Sequence, residues 1–189
     1  RCLEDHLIGI ILYMEGLDCI GSDVRLLTAL WELGVRGASL TWSRRNLLAS
    51  GCCKASECYE IRGGLSPEGF DVVREMERLG MFVDVSHLND DGFENIRETA
   101  IRPFMATHSN SREVSFHYRN LTDTQMQILA DQGGIAGLNG YVRLVSETAE
   151  EEYPDENGVY CLEKLCMHVE HMVEVMGPEH VGYGFDFCD

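Results

Sequence analysis

The sequence comprises 189 residues, a length that accommodates one domain with a sizeable hydrophobic core. Hydrophobic residues make up 44% and charged residues 25%, and the net charge of -17 argues against nucleic acid or an anionic membrane as a partner. No apolar run reaches the roughly 18 residues that a membrane-spanning helix needs. We therefore expect a single globular domain over residues 1–189 with no membrane segment.

The chain begins with Arg1 rather than methionine, so we expect it to be part of a longer protein whose targeting signal cannot be read here. Its eight cysteines form no C-x-x-C pair. This pattern favours reduced thiols in a cytoplasmic protein over a disulfide framework or a zinc knuckle.

Six short, nearly continuous apolar segments have the pattern of buried parallel strands. They are residues 7–16, 37–42, 81–87, 103–109, 134–140 and 181–187. Helical patterns with capping signals occupy residues 22–34, 66–80, 89–100, 122–134 and 160–177. The second of these helices shows the signals most fully, because Ser66 and Pro67 begin it and Gly80 follows its end.

Alternating strands and helices predict an α/β protein with a parallel sheet and crossover helices. Two architectures fit this order, a doubly wound open sheet and a (β/α)8 TIM barrel. No G-x-G-x-x-G follows the first strand, which weakens a dinucleotide-binding sheet. A barrel takes about 250 residues, so with about six strands this one would be incomplete. Long connections at 43–64 and 141–157 follow strand ends, where lids and substrate walls are usual.

Polar side chains stand at the carboxyl ends of five of the six predicted strands. These residues are Glu15, His87, His108, Asn139 and Asp186. Such residues are often solvated loop edges, but in a parallel barrel the strand ends converge on one mouth. A glutamate and two neutral imidazoles are a suitable ligand set for zinc or a similar divalent ion. A further carboxylate nearby could exchange protons with a metal-bound water.

Other polar residues of the core elements receive different interpretations. Asp84 lies inside its strand, so we expect it to face a polar partner. His168 and His171 fall opposite the apolar stripe of the last helix, so we expect them on a solvated face. The remaining histidines are interpreted as incidental: His6, His117 and His180.

Several motifs together resemble the membrane dipeptidase (renal dipeptidase) family of zinc peptidases. They are "MEG", "LT-W-S", "GLSPEGFDVVREMERLGMFVDVSH", "ATHSNSR", "HYRNLTD" and "VGYGFDF". The resemblance runs from about Gly9 to Asp186 and is strongest from Gly64 to Asn120. It implies a metal-dependent (β/α)8 barrel that hydrolyses dipeptides, including those with a D-residue at the second position. On this basis the six strands match barrel strands three to eight of the metal-dependent hydrolase type.

The resemblance also assigns roles to individual residues. Glu15 falls on a glutamate that bridges two metal ions, and His87 and His108 fall on ligands of the second ion. Arg119, in "HYRN", falls on an arginine that binds the substrate, and Asp186 falls on an active-site aspartate. The family therefore implies two zinc ions in the complete protein, and this chain could hold one of them. We also expect a dipeptide substrate, and a homodimer is the candidate assembly.

Three features depart from the family pattern. The H-x-D motif that holds the other ion is absent before Glu15, and we expect it upstream of Arg1. The family's "LTH" is "LTW" here, with Trp42 in place of a histidine that contacts substrate. The final "DFDG" is "DFCD", with Cys188 at the second acid.

The predicted function is dipeptide hydrolysis by a metal-activated water. The sequence contains no G-x-S-x-G motif and no cysteine beside a plausible base, so nothing in it points to a side-chain nucleophile. Two alternatives stay open from the residues. One is another metal-dependent barrel hydrolase of the deaminase or lactonase type, for which the "HYRN" arginine would lack an obvious purpose. The other is a non-catalytic binding relative, which Trp42 and Cys188 would suit.

Overall fold

The computed structural model describes residues 8–52, 63–148 and 159–186. Three parallel strands form the first sheet: β1 (Leu12–Glu15), β2 (Val35–Ser39) and β3 (Phe82–Asp84). Two more form the second: β4 (Ala136–Leu138) and β5 (Val181–Tyr183). The predicted α/β class with parallel strands is confirmed.

The predicted strand at 103–109 joins the two sheets without forming a full strand of its own. Met105 makes a parallel bridge to Asp84, and Ala106 makes one to Ala136. Two hydrogen bonds extend the first connection, from Met105 N–H to Val83 O at 3.0 Å and from Val85 N–H to Met105 O at 2.9 Å. All six predicted segments therefore lie side by side in sequence order.

In the described ranges, six helices and two 3-10 turns connect the strands. The helices are α1 (Leu26–Glu32), α2 (Pro67–Leu79), α3 (Asp90–Thr99), α4 (Asp123–Asp131), α5 (Val142–Val145) and α6 (Val159–Met176). The 3-10 turns are Asp18–Ile20 and Pro178–His180. The short α5 was not predicted and lies inside the expected long connection at 141–157. The stretches 53–62 and 149–158 of the two long connections lie outside the described residues.

Capping chemistry accounts for the boundaries of α2, α3 and α4, whereas α1 begins at Leu26, four residues after the predicted Ser22, and has no side-chain cap. The Ser66 side chain accepts a hydrogen bond from Gly69 N–H at 3.0 Å, and Gly80 ends α2 in the left-handed conformation with φ 76°. Asn89 caps α3 in the same way as Ser66 caps α2. Thr122 and Gln125 form a reciprocal capping box at α4.

The hydrophobic core lies between the strands and the helices that cover them. Its largest fully buried side chains include Leu27, Leu40, Met76, Ile96, Phe104, Met126, Leu129 and Met172. Strand and helix residues from all three described ranges join one hydrophobic cluster. Among the described residues, no helix is both long and apolar enough to cross a bilayer.

Candidate metal centre

Three side chains from separate strand ends converge at one point. Glu15 is the last residue of β1, His87 follows β3, and His108 follows the bridging segment. Glu15 Oε1 lies 2.6 Å from His87 Nε2 and 3.3 Å from His108 Nε2, and the two imidazole nitrogens are 2.8 Å apart. Parallel pairing places these ends together, since Glu15 is in register with Ser39 and Ser39 with Asp84.

The chemistry of this donor set fits a divalent cation. A carboxylate only accepts hydrogen bonds, and the Arg119 guanidinium, which only donates, lies 3.2 Å from His87 Nε2. His87 Nε2, if it accepts from Arg119, has no proton to donate to Glu15 Oε1 2.6 Å away, and a short contact between two acceptor atoms suits a cation. Ligand bonds to zinc are about 2.0–2.2 Å long, so atoms that share one ion stand within about 4 Å of each other. The three facing atoms of Glu15, His87 and His108 meet that condition.

The environment sets the protonation states that metal ligation requires. The close contacts with the imidazoles of His108 and His87 hold the pKa of Glu15 well below its usual range, against the opposing effect of partial burial. Burial lowers the pKa of His87 to about 4, although its close contact with the Glu15 carboxylate opposes this shift. At neutral pH the centre therefore contains an ionised carboxylate and a neutral imidazole at His87, as metal binding demands.

Asp84 anchors a polar network beneath the centre, as its position inside a strand suggested. It is completely buried, and its oxygens accept hydrogen bonds from Tyr13, Ser86 and Thr107. Burial alone would raise the pKa of Asp84, but the interaction with His108 and these hydrogen bonds outweigh it and lower the pKa. Burial, together with the nearby carboxylate, raises the pKa of Tyr13.

Arg119 lies against the centre, as the resemblance implied. Its side chain is buried, and it donates hydrogen bonds to the carbonyl oxygens of Ser86 and His108 and to Ser109 Oγ. Burial lowers its pKa, whereas nearby acids including Asp84 and Asp186 raise it. The guanidinium is therefore fixed in place beside His87 by acceptors from two strand ends.

Asp186 is connected to the centre through Asn139. The Asn139 amide donates to Asp186 Oδ2 at 3.3 Å and to the carbonyl oxygen of His108 at 3.5 Å. Asp186 is the one non-glycine residue with positive φ, at 58°, among the described residues. Asp and Asn tolerate this left-handed conformation better than most residues. Asp186 is exposed, so its carboxylate is accessible to solvent at the carboxyl ends of the strands.

Two residues of the connection after β2 contact the ring of His87. Trp42 stacks on it with ring centroids 5.8 Å apart and an interplanar angle of 28°, and half of the Trp42 side chain remains exposed. Ser43 Oγ lies 3.0 Å from His87 Nδ1. Trp42 was recognisable from sequence as a departure from the family pattern, whereas Ser43 was not predicted, because it carries no signal beyond its place after a strand.

The prediction for His168 is wrong. Its side chain is fully buried, where Nδ1 accepts from Ser111 N–H at 3.2 Å and Nε2 lies 3.0 Å from Val145 O. The physical reason is that α5 and the loop after the bridging segment cover the side of α6 that the pattern assigned to solvent. His171 is half-buried and pairs with Asp123 Oδ1 at 2.8 Å. The expected departure at Cys188 lies outside the described residues.

The fold and the site together define a class of protein. It is an α/β protein with a parallel sheet whose strand ends gather one carboxylate and two imidazoles in a geometry suited to a divalent metal ion. An arginine and an aspartate stand beside that centre. This combination is typical of metal-dependent hydrolases.

Comparisons with known proteins identify the family. A family model described as membrane dipeptidase (peptidase family M19) matches residues 2–189. An uncharacterized protein encoded in the pqqA 5' region of Klebsiella pneumoniae is 31% identical over 99% of this chain and 68% of its own length. Dipeptidase verJ of Clonostachys rogersoniana is 32% identical over 95% of this chain. The chain therefore belongs to the membrane dipeptidase family of metallopeptidases.

A solved structure agrees with this assignment. The metallo peptidase from Rhodobacter sphaeroides, liganded with a phosphinate mimic of the dipeptide L-Ala-D-Ala, superposes with a TM-score of 0.86 at 31% identity. The match covers 98% of this chain but 52% of that one, and the match to dipeptidase verJ covers 43% of that protein. The chain thus spans about half the length of these relatives.

Proposed function

We propose that this chain carries one metal site and the adjoining substrate site of a metal-dependent dipeptidase. The observation that carries the proposal is the convergence of Glu15, His87 and His108 within ligand distance of one ion. Membership of a metallopeptidase family and the relatives named as dipeptidases support it. The zinc of the proposal would be held by these three side chains, with Glu15 as the bridge to a second ion in the complete protein.

Bound zinc would lower the pKa of a coordinated water towards about 7 and so supply the nucleophile. Asp186 would accept a proton from this water and later deliver it to the leaving amine. Asn139 would hold that carboxylate, because its amide donates to Oδ2 of Asp186. Arg119 would bind the terminal carboxylate of the dipeptide, for which a guanidinium is well suited. Trp42 would form one wall beside His87.

The substrate and assembly of the whole protein form part of the same proposal. Dipeptides, including those with a D-residue at the second position, would be the substrates, in keeping with the ligand of the Rhodobacter sphaeroides peptidase. The parallel strands in sequence order would correspond to strands three to eight of a (β/α)8 barrel. A homodimer is the assembly that we propose.

The test is a Glu15→Gln substitution in the complete protein, assayed on a panel of dipeptides. The amide keeps the shape of Glu15 but removes its charge and one of its ligand oxygens. We expect dipeptide hydrolysis to fall at least about a hundredfold, since the metal site and the water that it activates depend on this carboxylate. Glu174→Gln, at an exposed carboxylate on α6, is the matched control and should leave turnover unchanged.

Metal content measured on the same samples separates the possible explanations. Lost turnover with reduced zinc would support a ligand role for Glu15. Unchanged turnover with full zinc content in the Glu15→Gln protein would contradict the proposal. Hydrolysis of lactones or release of ammonia from amino-substituted rings, in place of dipeptide hydrolysis, would identify a different hydrolase.

A further inference from the structure

We propose that Asp84 and Thr107 act as positioning residues that impose one tautomer on His108 and aim its Nε2 lone pair into the metal centre. The inference rests on the proposed metal site, but its geometry stands on hydrogen bonds that involve no metal. It assigns a function to a buried carboxylate that contributes no ligand atom to the centre.

The surroundings of Asp84 identify it as an ionised acceptor. Its Oδ1 receives hydrogen bonds from Ser86 N–H at 2.9 Å, Ser86 Oγ at 2.6 Å and Thr107 N–H at 3.0 Å. Its Oδ2 receives the Tyr13 and Thr107 hydroxyls, each at 2.5 Å. A fully buried carboxylate with five donors around it is well satisfied without a proton of its own.

The single hydroxyl proton of Thr107 decides the tautomer of His108. Thr107 Oγ1 lies 2.5 Å from Asp84 Oδ2, and because a carboxylate cannot donate, the proton must come from threonine. The same Oγ1 lies 2.7 Å from His108 Nδ1 and can then only accept there. His108 must therefore carry its proton on Nδ1, which leaves Nε2 with a lone pair in the neutral ring.

This tautomer leaves the other ring nitrogen of His108, Nε2, without a proton where it faces the metal centre. His108 Nε2 lies 3.3 Å from Glu15 Oε1 and 2.8 Å from His87 Nε2, and Arg119 already supplies a donor to the latter nitrogen. Three acceptor atoms then lie close together with no proton between them, an arrangement that a cation relieves. Carboxylate partners of metal-binding histidines fix the ring in this way and raise its basicity. Here a threonine hydroxyl is inserted between carboxylate and imidazole.

Backbone contacts hold in place the chain of hydrogen bonds from Asp84 through Thr107 to His108. His108 N–H donates to Ser86 Oγ at 3.1 Å, so the same serine that contacts Asp84 also fixes the main chain of the ligand. A Cβ added at Gly137 or Gly184 would lie 2.0 Å or 1.8 Å from Thr107 O, which shows how closely β4 and the residue after β5 approach the main chain of Thr107. The main chain that carries the Thr107 hydroxyl is therefore closely packed.

The direct test reads the tautomer before any metal is added. Nitrogen-15 NMR of the histidine-labelled, metal-stripped chain at about pH 7.5 distinguishes protonated from unprotonated ring nitrogens. We expect His108 to show a protonated Nδ1 and an unprotonated Nε2, with the signal assigned from its loss in His108→Asn. Thr107→Val should convert it to a mixture of tautomers, and Thr107→Ser should restore the Nδ1–H form. A protonated Nε2 in the wild-type chain would overturn the inference.

Zinc affinity, measured against a competing chelator, gives the second readout. Loss of such partners weakens metal binding by about 10–100-fold, so we expect that range for Thr107→Val and less than about threefold for Thr107→Ser. Thr41→Val is the matched control, because Thr41 is buried and its Oγ1 has no partner among the described residues. Thr107→Val with wild-type affinity would overturn the positioning role. If the wild-type chain bound no zinc, the proposed function would fail, while the NMR result would still decide the tautomer.

Discussion

At the scale of single residues, His168 shows how a side chain on a helix can be structural rather than functional. Its two ring nitrogens connect α6 to the backbone at Ser111 and Val145, so both are satisfied in a fully buried position. Burial lowers its pKa from the ordinary value, since a charged imidazole is disfavoured there. Protonation would also place a hydrogen on Nδ1, which accepts from Ser111.

This burial predicts a pH-dependent stability. The pKa of His168 in the folded state lies below the unfolded value of about 6.5. Its contribution to stability is therefore complete above about pH 6.5 and is lost as the pH falls from there through the lower, folded-state pKa. We expect His168→Gln to lower the free energy of unfolding by about 1–3 kcal/mol at about pH 7.5 and by less at about pH 5.5. Urea denaturation of both proteins at the two pH values measures this. An equal or larger cost at the lower pH would contradict the expectation.

The three residues of the proposed metal centre could be picked out from the sequence because each stands at the end of an apolar run that predicts a strand, although the run before Glu15 is largely exposed in the structure. Glu15, His87 and His108 share this feature, and parallel strands bring such ends together. The partners of these ligands were not predictable. Ser43 and Thr107 contact the rings through pairings between segments far apart in sequence, and periodicity carries no information about such contacts.

At the scale of elements, the chain just after β5 can approach the segment before His108 closely because Gly184 has no side chain. A Cβ at Gly184 would lie 1.8 Å from Thr107 O, whereas one at Gly182 would meet Ile135 Cγ2 at an ordinary 3.6 Å. The two glycines are separated by one residue at the same end of the sheet. They therefore form a matched pair for testing how tightly the segment and β5 are packed.

We expect Gly184→Ala to destabilise the protein by about 1–3 kcal/mol, as overpacking of a close backbone contact does. Gly182→Ala should be neutral or stabilise by up to about 1 kcal/mol, because alanine reduces the freedom of the unfolded chain. Denaturant unfolding of the two variants provides the comparison. Equal effects would show that the segment at Thr107 moves freely away from β5.

Helices were predicted more accurately than strands, for a physical reason. Caps such as Ser66 and Asn89 are local signals, and the helices begin at the next residue in both cases. Strand extent depends on neighbours instead, so the apolar segment at 103–109 contributes only single bridges on either side. The brief α5 carries no periodicity long enough to detect.

At the scale of the whole molecule, the order of the strands does most to create the site. Six parallel segments in sequence order place residues from Glu15 to Asp186 at one edge. The two outermost strands differ from the rest in exposure: Ile10 before β1 and Tyr183 on β5 are each 83% exposed. In the proposed complete barrel, strands one and two would pair with these exposed edges. The parallel order was predicted from sequence, and the barrel itself stays a prediction.

The central claim is that Glu15, His87 and His108 hold a metal ion, and zinc titration of the chain against a competing chelator tests it most directly. We expect wild-type protein to bind one equivalent of zinc through this centre, and His108→Ala to lose that binding because one of three converging ligands is gone. His171→Ala, a histidine on α6 paired with Asp123 away from the centre, should bind as wild type does. Absence of zinc binding by the wild-type chain, or equal affinity in His108→Ala, would contradict the account.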